Sequence, residues 1–408
     1  MSFTAEGAGS GRWGWFEASG AIRGYLGFPK PGEFSTFEIM EASIGLAPIQ
    51  NKDAGLGLYV GRRLQDWNKI DQTWALGFME PQFRWDLLRP SRNGLTGAFL
   101  EARYKDFSLT AFGSGIAVPE SGPISTLKDG VFTSAHDQYT PPADSTTLLG
   151  IDTPIRYTID MPPITHLILK PSVGGILAYD GAGFFARASY QYKPVTQPLL
   201  ALRHQGILNI ASSQLEPFLR PQIVYSHTMG VDFGYHTKWV TPWISAMGDV
   251  PEEPKLEEGW TTQRFVPGVC LSVGADGKLP WEIGVKGSFL QTFGGVATDV
   301  GFLSPGGFGS IFGNRYPFRS AFSLGLNRAF EITPQHRIML SGRWLQEFSI
   351  SGTMLSPDVE YMMFKHFVVG LGADFIAAGA GVASNGGGGY VAGMSGYDRV
   401  RASFRYEL

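Results

Sequence analysis

The chain has 408 residues, of which 17% are charged and 13% aromatic; 54 are glycines, one is a cysteine, and the formal net charge at pH 7 is -3. That charge gives no sign of a nucleic-acid partner, and the lone Cys270 excludes an intrachain disulfide and a cysteine-rich metal site. A membrane-crossing helix needs ~18 uninterrupted apolar residues, and the longest candidate, residues 367–383, is broken by Asp374 and four glycines.

In chain order, period-two alternation predicts strand after strand, because successive side chains leave opposite faces of a pleated strand. Residues 12–24 set Phe16, Ala18 and Ile22 against Glu17, Ser19 and Arg23. Residues 35–47 follow after a Pro/Gly loop, and a short turn at 51–54 leads into Ala54, Leu56, Leu58 and Val60. Residues 62–94 do not alternate and are rich in Trp, Arg and Asp; they read as a long loop, with a short strand expected near 74–79. Residues 95–104 and 107–111 form a hairpin across Lys105-Asp106, since two residues between alternating runs is a hairpin signature. Residues 118–163 hold seven prolines and read as irregular.

Beyond them, 171–179 and a second clean strand flank a turn at Asp180-Gly181. A loop at 194–219 precedes 222–235, with Phe233 and Tyr235 on one face and Asp232 on the other. A turn at His236-Thr237 leads to 238–248. Residues 265–275 and 281–293 are joined through Asp276-Gly277, and a Gly/Phe-rich loop covers 294–317. Strands at 318–330, 336–347 and one around Val359 follow; Lys365-His366 then turns the chain into Phe367, Val369, Leu371 and Phe375, and a Gly-rich loop at 379–396 leads to the end of the chain.

Residues 398–408 alternate without a break: Val400, Ala402, Phe404, Tyr406 and Leu408 on one face, Arg399, Arg401, Ser403, Arg405 and Glu407 on the other. This aromatic-rich run ending on an apolar residue resembles the closing strand of Gram-negative outer-membrane β-barrels, which usually end on Phe rather than Leu. The fold expected is therefore all-β, a transmembrane antiparallel barrel of about 16 strands (range 14–18), an even number, with short periplasmic turns and long external loops. One barrel domain spans 1–408. The resemblance implies the bacterial outer membrane, a signal peptide already removed, and contact with outer-membrane lipid and lipopolysaccharide. Within the early loop, Gly61-Arg62-Arg63, Trp67, Asp71, Trp74 and Leu88-Arg89-Pro90 resemble the matching segment of alginate-export-type porins; no substrate is carried over from so short a stretch.

No catalytic, cofactor-binding or metal site is expected. The seven histidines lack ligand spacing, and Ser226 and His227, adjacent on one strand, point to opposite faces. An enzyme is not the reading. The polar face predicts a lumen wall bearing Arg103, Arg187, Asp232, Glu282, Lys286, Arg319, Arg337, Arg343, Glu360, Asp374, Arg401 and Arg405. Three tryptophans are costly to expose on an outer loop, so residues 62–94 are expected inside the barrel. Arg62, Arg63, Trp67, Arg84, Arg89 and Arg92 are then the candidate constriction. The leading function is a porin-like channel for small hydrophilic solutes, with an anion preference because pore-lining charge sets selectivity. Two alternatives remain open: a loop-plugged barrel that docks a larger envelope complex, and a lipid- or hydrocarbon-handling barrel suggested by Phe302, Phe308, Phe312 and Phe318. Homo-oligomers or envelope partners are compatible with each.

Overall fold

The structure, a computed structural model, describes residues 2–27, 35–86, 88–122, 125–134, 143–196, 199–203, 208–209, 213–262, 266–295, 316–348, 351–364, 366–379, 390–391, 394 and 396–407. Seventeen strands of 8 to 16 residues form one closed sheet. They are β1 Ser2–Trp13, β2 Phe16–Gly27, β3 Ser35–Gln50, β4 Ala54–Arg63, β5 Leu95–Tyr104, β6 Phe107–Ser114, β7 Ser172–Gly181, β8 Phe184–Pro194 and β9 Tyr225–Tyr235. The circuit continues through β10 Val240–Pro251, β11 Gly268–Lys278, β12 Gly284–Gly294, β13 Ser320–Thr333, β14 His336–Glu347, β15 Gly352–Met363, β16 Phe367–Ala378 and β17 Arg399–Glu407.

Each strand pairs antiparallel with the next, from β1 with β2 (Ala8↔Ala21) to β16 with β17 (Leu371↔Ala402). The circle closes by a parallel pairing of β1 with β17, from Ser2↔Arg401 to Ala8↔Glu407. The count lies inside the expected range, but it is odd, and the expectation of an even number is corrected. In an up-and-down circuit the first and last strands of an odd set run the same way, so only a parallel pair can seal it. The strand the alternation passed over is β1. Its run Ala5-Glu6-Gly7-Ala8-Gly9-Ser10-Gly11 is mostly small residues, which write almost no difference between faces.

Short turns fall at one end. The expected turns at Lys105-Asp106 and His236-Thr237 are there. Two others sit further along the chain than expected: Asp180-Gly181 and Asp276-Gly277 complete β7 and β11, and the chain reverses at 182–183 and 279–283. At Ala182-Gly183 both φ values are positive, 53° and 82°, the backbone that lets a two-residue turn follow the strand twist. His366 lies in the last turn; Lys365 is outside the described residues. Most long connections leave from the other end. Those at 115–171, 195–224 and 252–267 carry small hairpins, such as Ser125–Lys128 with Val131–Ser134. They also carry a four-stranded sheet of Thr158–Ile159, Phe218–Gln222, Leu199–Arg203 and Trp260–Thr262. Phe132, Tyr157, Leu202, Leu215 and Leu219 bury together beneath it. The irregular reading of 118–163 is corrected to this extent.

The wall is two-faced. Leu58, Leu177, Val231, Phe233, Ile244, Leu371 and Val400 are each at least half exposed on the outside. Inward positions of these or adjoining strands are Ser189, Thr228, Ser245, Ser272 and Asp374, all buried within the barrel. A soluble domain buries its apolar face; here an apolar face looks outward, as a strand-built wall in lipid requires, and the inward face carries these polar residues together with the apolar ones that meet the inserted segment.

Candidate functional site

Residues 64–94 leave β4 and return to β5 through the inside of the barrel. At their root the backbone is crowded. Gly61 takes φ 130° with the Ala42 carbonyl where a Cβ would stand, and a Cβ on Gly94 would meet the Arg63 backbone at 2.4 Å. Gly94 N donates to the Met40 carbonyl at 2.9 Å, where β3 bulges between its partners for Ala21 and Ile22.

The short strand expected at 74–79 is corrected to a helix just upstream, α1 Lys69–Trp74. Asn68 starts it: its Oδ1 accepts from Ile70 N at 2.9 Å, the usual means of satisfying an orphan helix N–H. Ala75 ends it in the left-handed region. The buried Asp71 carboxylate then accepts from Gly77 N, Phe78 N and Met79 N at 2.8, 3.2 and 3.0 Å, folding the chain back.

This fold turns Trp67, Ile70, Trp74, Leu76, Phe78, Met79 and Leu88 into one cluster with inward wall residues. Phe99, Phe112, Ile176, Met247, Cys270, Leu290, Leu345, Met354 and Ile376 supply the wall side, spread over strands β5 to β16. The ring of Trp67 meets Phe112 edge-on at 6.2 Å, and Trp74 meets Phe318 at 5.6 Å. Full burial of each large side chain contributes ~1.5–3 kcal/mol, so the inserted segment is held by a true core.

Polar anchors fix it to two separate arcs of the wall. On the first, Asn68 Nδ2 donates to Asp232 at 2.7 Å, Lys69 N donates to the same carboxylate at 3.1 Å, and Ser245 Oγ donates to it at 2.6 Å. Lys69 Nζ lies 2.8 Å from Asp276. On the second arc, Arg89 reaches Asp358 at 3.0 Å and Asp374 at 3.1 Å, while Asp86 accepts from Arg399 at 2.7 and 2.8 Å. Arg399 and Arg401 also bind Asp374, at 2.6 and 2.8 Å. Within the segment, Arg92 pairs with Glu80 at 2.7 Å, and Gln65 N donates to Glu80 at 2.7 Å. Burial of Glu80 pushes its carboxyl up to about 7, against the pull of Arg92. Arg84 pairs with Glu120 of the 115–171 connection at 2.7 Å.

The expected constriction residues divide. Trp67, Arg84, Arg89 and Arg92 lie in the inserted segment; Arg62 and Arg63 are on the wall at its root, paired with Glu38 at 2.7 Å and Glu101 at 3.0 Å, and Arg63 stacks on Tyr59 at 3.7 Å. Of the expected lumen residues, Arg187, Asp232, Arg343, Glu360, Asp374, Arg401 and Arg405 point inward. Arg187 stands 3.7 Å from Asp232, and Arg405 stands 3.5 Å from Glu360. Arg103 donates to the Asn51 carbonyl at 2.7 Å near the turn end. Lys286 and Arg337 take the inward alternation close to the turns, and Arg319 donates to the Gly294 carbonyl just before β13. Glu282 is corrected: it lies in the exposed single turn Pro280–Glu282, outside the strands, because β12 starts three residues later than alternation suggested. Phe302, Phe308 and Phe312 lie outside the described residues; Phe318 is buried in the inner core. Sequence reasoning missed Asn68 and Glu80. For Asn68 a cue existed: Asn-Lys-Ile-Asp places a capping residue three before an acid, close to the capping-box spacing.

Two spaces flank the segment. One, of about 470 Å³, lies between residues 72–91 and strands β1, β2 and β14 to β17; the other, of about 710 Å³, is bordered by Tyr59, Arg63, Asp66, Glu101, Arg103 and Thr110.

No protein-family model and no curated protein matches the sequence. Among solved structures the chain is similar to Wzi of Escherichia coli, described as a carbohydrate-binding outer-membrane β-barrel involved in group 1 capsule assembly (10% identity, 91% of this chain and 74% of that one, TM-score 0.41). It is also similar to Salmonella typhi OmpF (10%, 82% and 80%, 0.38) and to an anion-selective porin from Comamonas acidovorans (9%, 91% and 88%, 0.37). At such scores the assignment stands on the strand pairing and the two-faced wall. The chain folds as a closed, strand-built barrel with an apolar outer face.

Proposed function

We propose that this protein is an outer-membrane channel for small hydrophilic solutes, narrowed by residues 64–94 and preferring anions. The observation that carries the reading is the double anchoring of that segment, through Asn68 and Lys69 to Asp232 and Asp276 and through Asp86 and Arg89 to Arg399, Asp358 and Asp374. A barrel of this strand number is wide enough for an aqueous bore. A segment tied to two arcs of the wall leaves spaces beside it, and one of them is bordered by Arg23, Arg84, Arg89, Arg343, Arg401 and Arg405 against Glu6, Asp86, Asp358 and Glu360. In a narrow, low-dielectric space the charge of Arg343, which no carboxylate of the described residues pairs, acts more strongly than in bulk water.

Planar-bilayer recording tests this. The full-length protein is expected to give small single-channel currents with modest anion preference, and deletion of residues 71–92 to raise the conductance severalfold. An inserted deletion variant with unchanged current overturns the constriction.

The apolar core inside the barrel favours a second reading, a sealed barrel that docks envelope partners. Absence of current from both proteins would select it.

A further inference from the structure

Around the 470 Å³ space the arginines are nearly all neutralised. Arg23 pairs with Glu6, Arg84 with Glu120, Arg405 with Glu360, and Arg89, Arg399 and Arg401 share Asp86, Asp358 and Asp374. Arg343 is the exception. It stands on β14, borders the space, and donates through Nε to the Ser323 hydroxyl at 3.1 Å. Its side chain has five N–H donors and no acceptor, and among the described residues no carboxylate lies within pairing distance. A guanidinium enclosed without a directly paired carboxylate is costly, and an anion that enters the space lowers that cost. The lining also includes the apolar side chains Trp74, Phe83, Leu88, Phe318, Leu345 and Met354.

We infer that Arg343 is the anion-binding residue of a built site between the inserted segment and the wall, and that its ligand is a small organic anion: one carboxylate or phosphate on the guanidinium fork, and an apolar body of about ring size against Trp74, Phe318 and Met354. The planar fork matches either oxyanion in a bidentate way. The site deepens the channel reading and rests on it only for the route by which the solute arrives.

The test is calorimetric titration of the full-length protein in detergent with benzoate, with uncharged benzyl alcohol of similar size, and with inorganic phosphate. Benzoate is expected to bind saturably, benzyl alcohol and phosphate far more weakly. Arg343→Gln is expected to weaken benzoate about tenfold or more, as loss of a charge-assisted pair does. Arg343→Lys, which keeps the charge and loses the fork, should fall between. Arg103→Gln, in the other cavity, should bind as the parent does. Heat-modifiable migration checks that each variant is folded; if Arg343→Gln does not fold, Arg343→Lys decides, and unchanged affinity there overturns the site. No benzoate binding by the parent, or equal binding by a folded Arg343→Gln, also overturns it. Phosphate bound as tightly as benzoate overturns the apolar half of the ligand. Binding without current would refute the channel and keep this site, whereas current without binding would do the reverse.

Discussion

Asn68 does three things with one side chain: it caps α1, donates to Asp232, and, through Nδ2, lies 3.1 Å from Ser245. Asn68→Ala removes all three and leaves the Asp232 carboxylate buried with fewer donors. A lost cap costs ~0.5–2 kcal/mol, and an unsatisfied buried partner ~1–3 kcal/mol. The variant should therefore weaken docking of the inserted segment by ~2 kcal/mol or more, read as loss of amide protection over residues 64–94 with the strands still protected. Glu80 gives a pH test. Its folded value, about 7, is above the ordinary carboxyl value of 4.5, so the folded segment binds the proton more tightly than the unfolded one. That stabilisation is complete below about 4.5 and is lost as pH rises through about 7. Protection factors over 64–94 should fall between pH 5 and pH 8, and Glu80→Gln should flatten the fall. An unaltered slope in that variant would assign the titration elsewhere.

At the scale of the strand, the two faces predict opposite responses to the same side chain. Phe233 is half exposed on the outside of β9, and Val285 and Leu324 take the same outward alternation on β12 and β13. Arginine at any of them should cost ~2–4 kcal/mol near the bilayer midplane. Thr110→Arg, on the inward face of β6 beside the larger cavity, should cost far less. Denaturant-dependent unfolding in lipid vesicles gives the comparison, and equal losses on both faces would refute the assignment of inside and outside. These faces were legible in the sequence because a half-wet strand writes them in period two. The helix at Lys69–Trp74 was not: six residues are too few to show a 3.6-residue period, and their environment, the barrel interior, is built by strands far away in the chain.

At the scale of the molecule, the protein should need detergent for recovery and should show heat-modifiable migration. Recovery as a detergent-free monomer would sink the barrel. The seam can be tested directly. In a Cys270→Ser background, cysteines replacing Phe3 and Ala402, or Gly7 and Tyr406, should cross-link with a short reagent because these are partners in the parallel register. A Phe3–Tyr406 pair should not, and its cross-linking would mean an antiparallel seam.

Alternation alone determined that this chain forms a strand-built wall with an apolar outside, a polar inside, tight turns at one end and long connections mostly at the other. It determined this because each strand states its two faces locally. The three tryptophans of residues 62–94, costly to expose on an outer loop, already pointed that segment inward. What the tertiary structure decided was closure and pairing. The first strand, β1, is written in small residues and is recognisable only by the neighbours it bonds. Which arginine keeps a carboxylate and which, like Arg343, does not depends on partners more than two hundred residues apart, such as Asp86 and Arg399. Local sequence carries no record of such distances, because they are set by the circumference of the closed barrel and by the path of the inserted segment inside it.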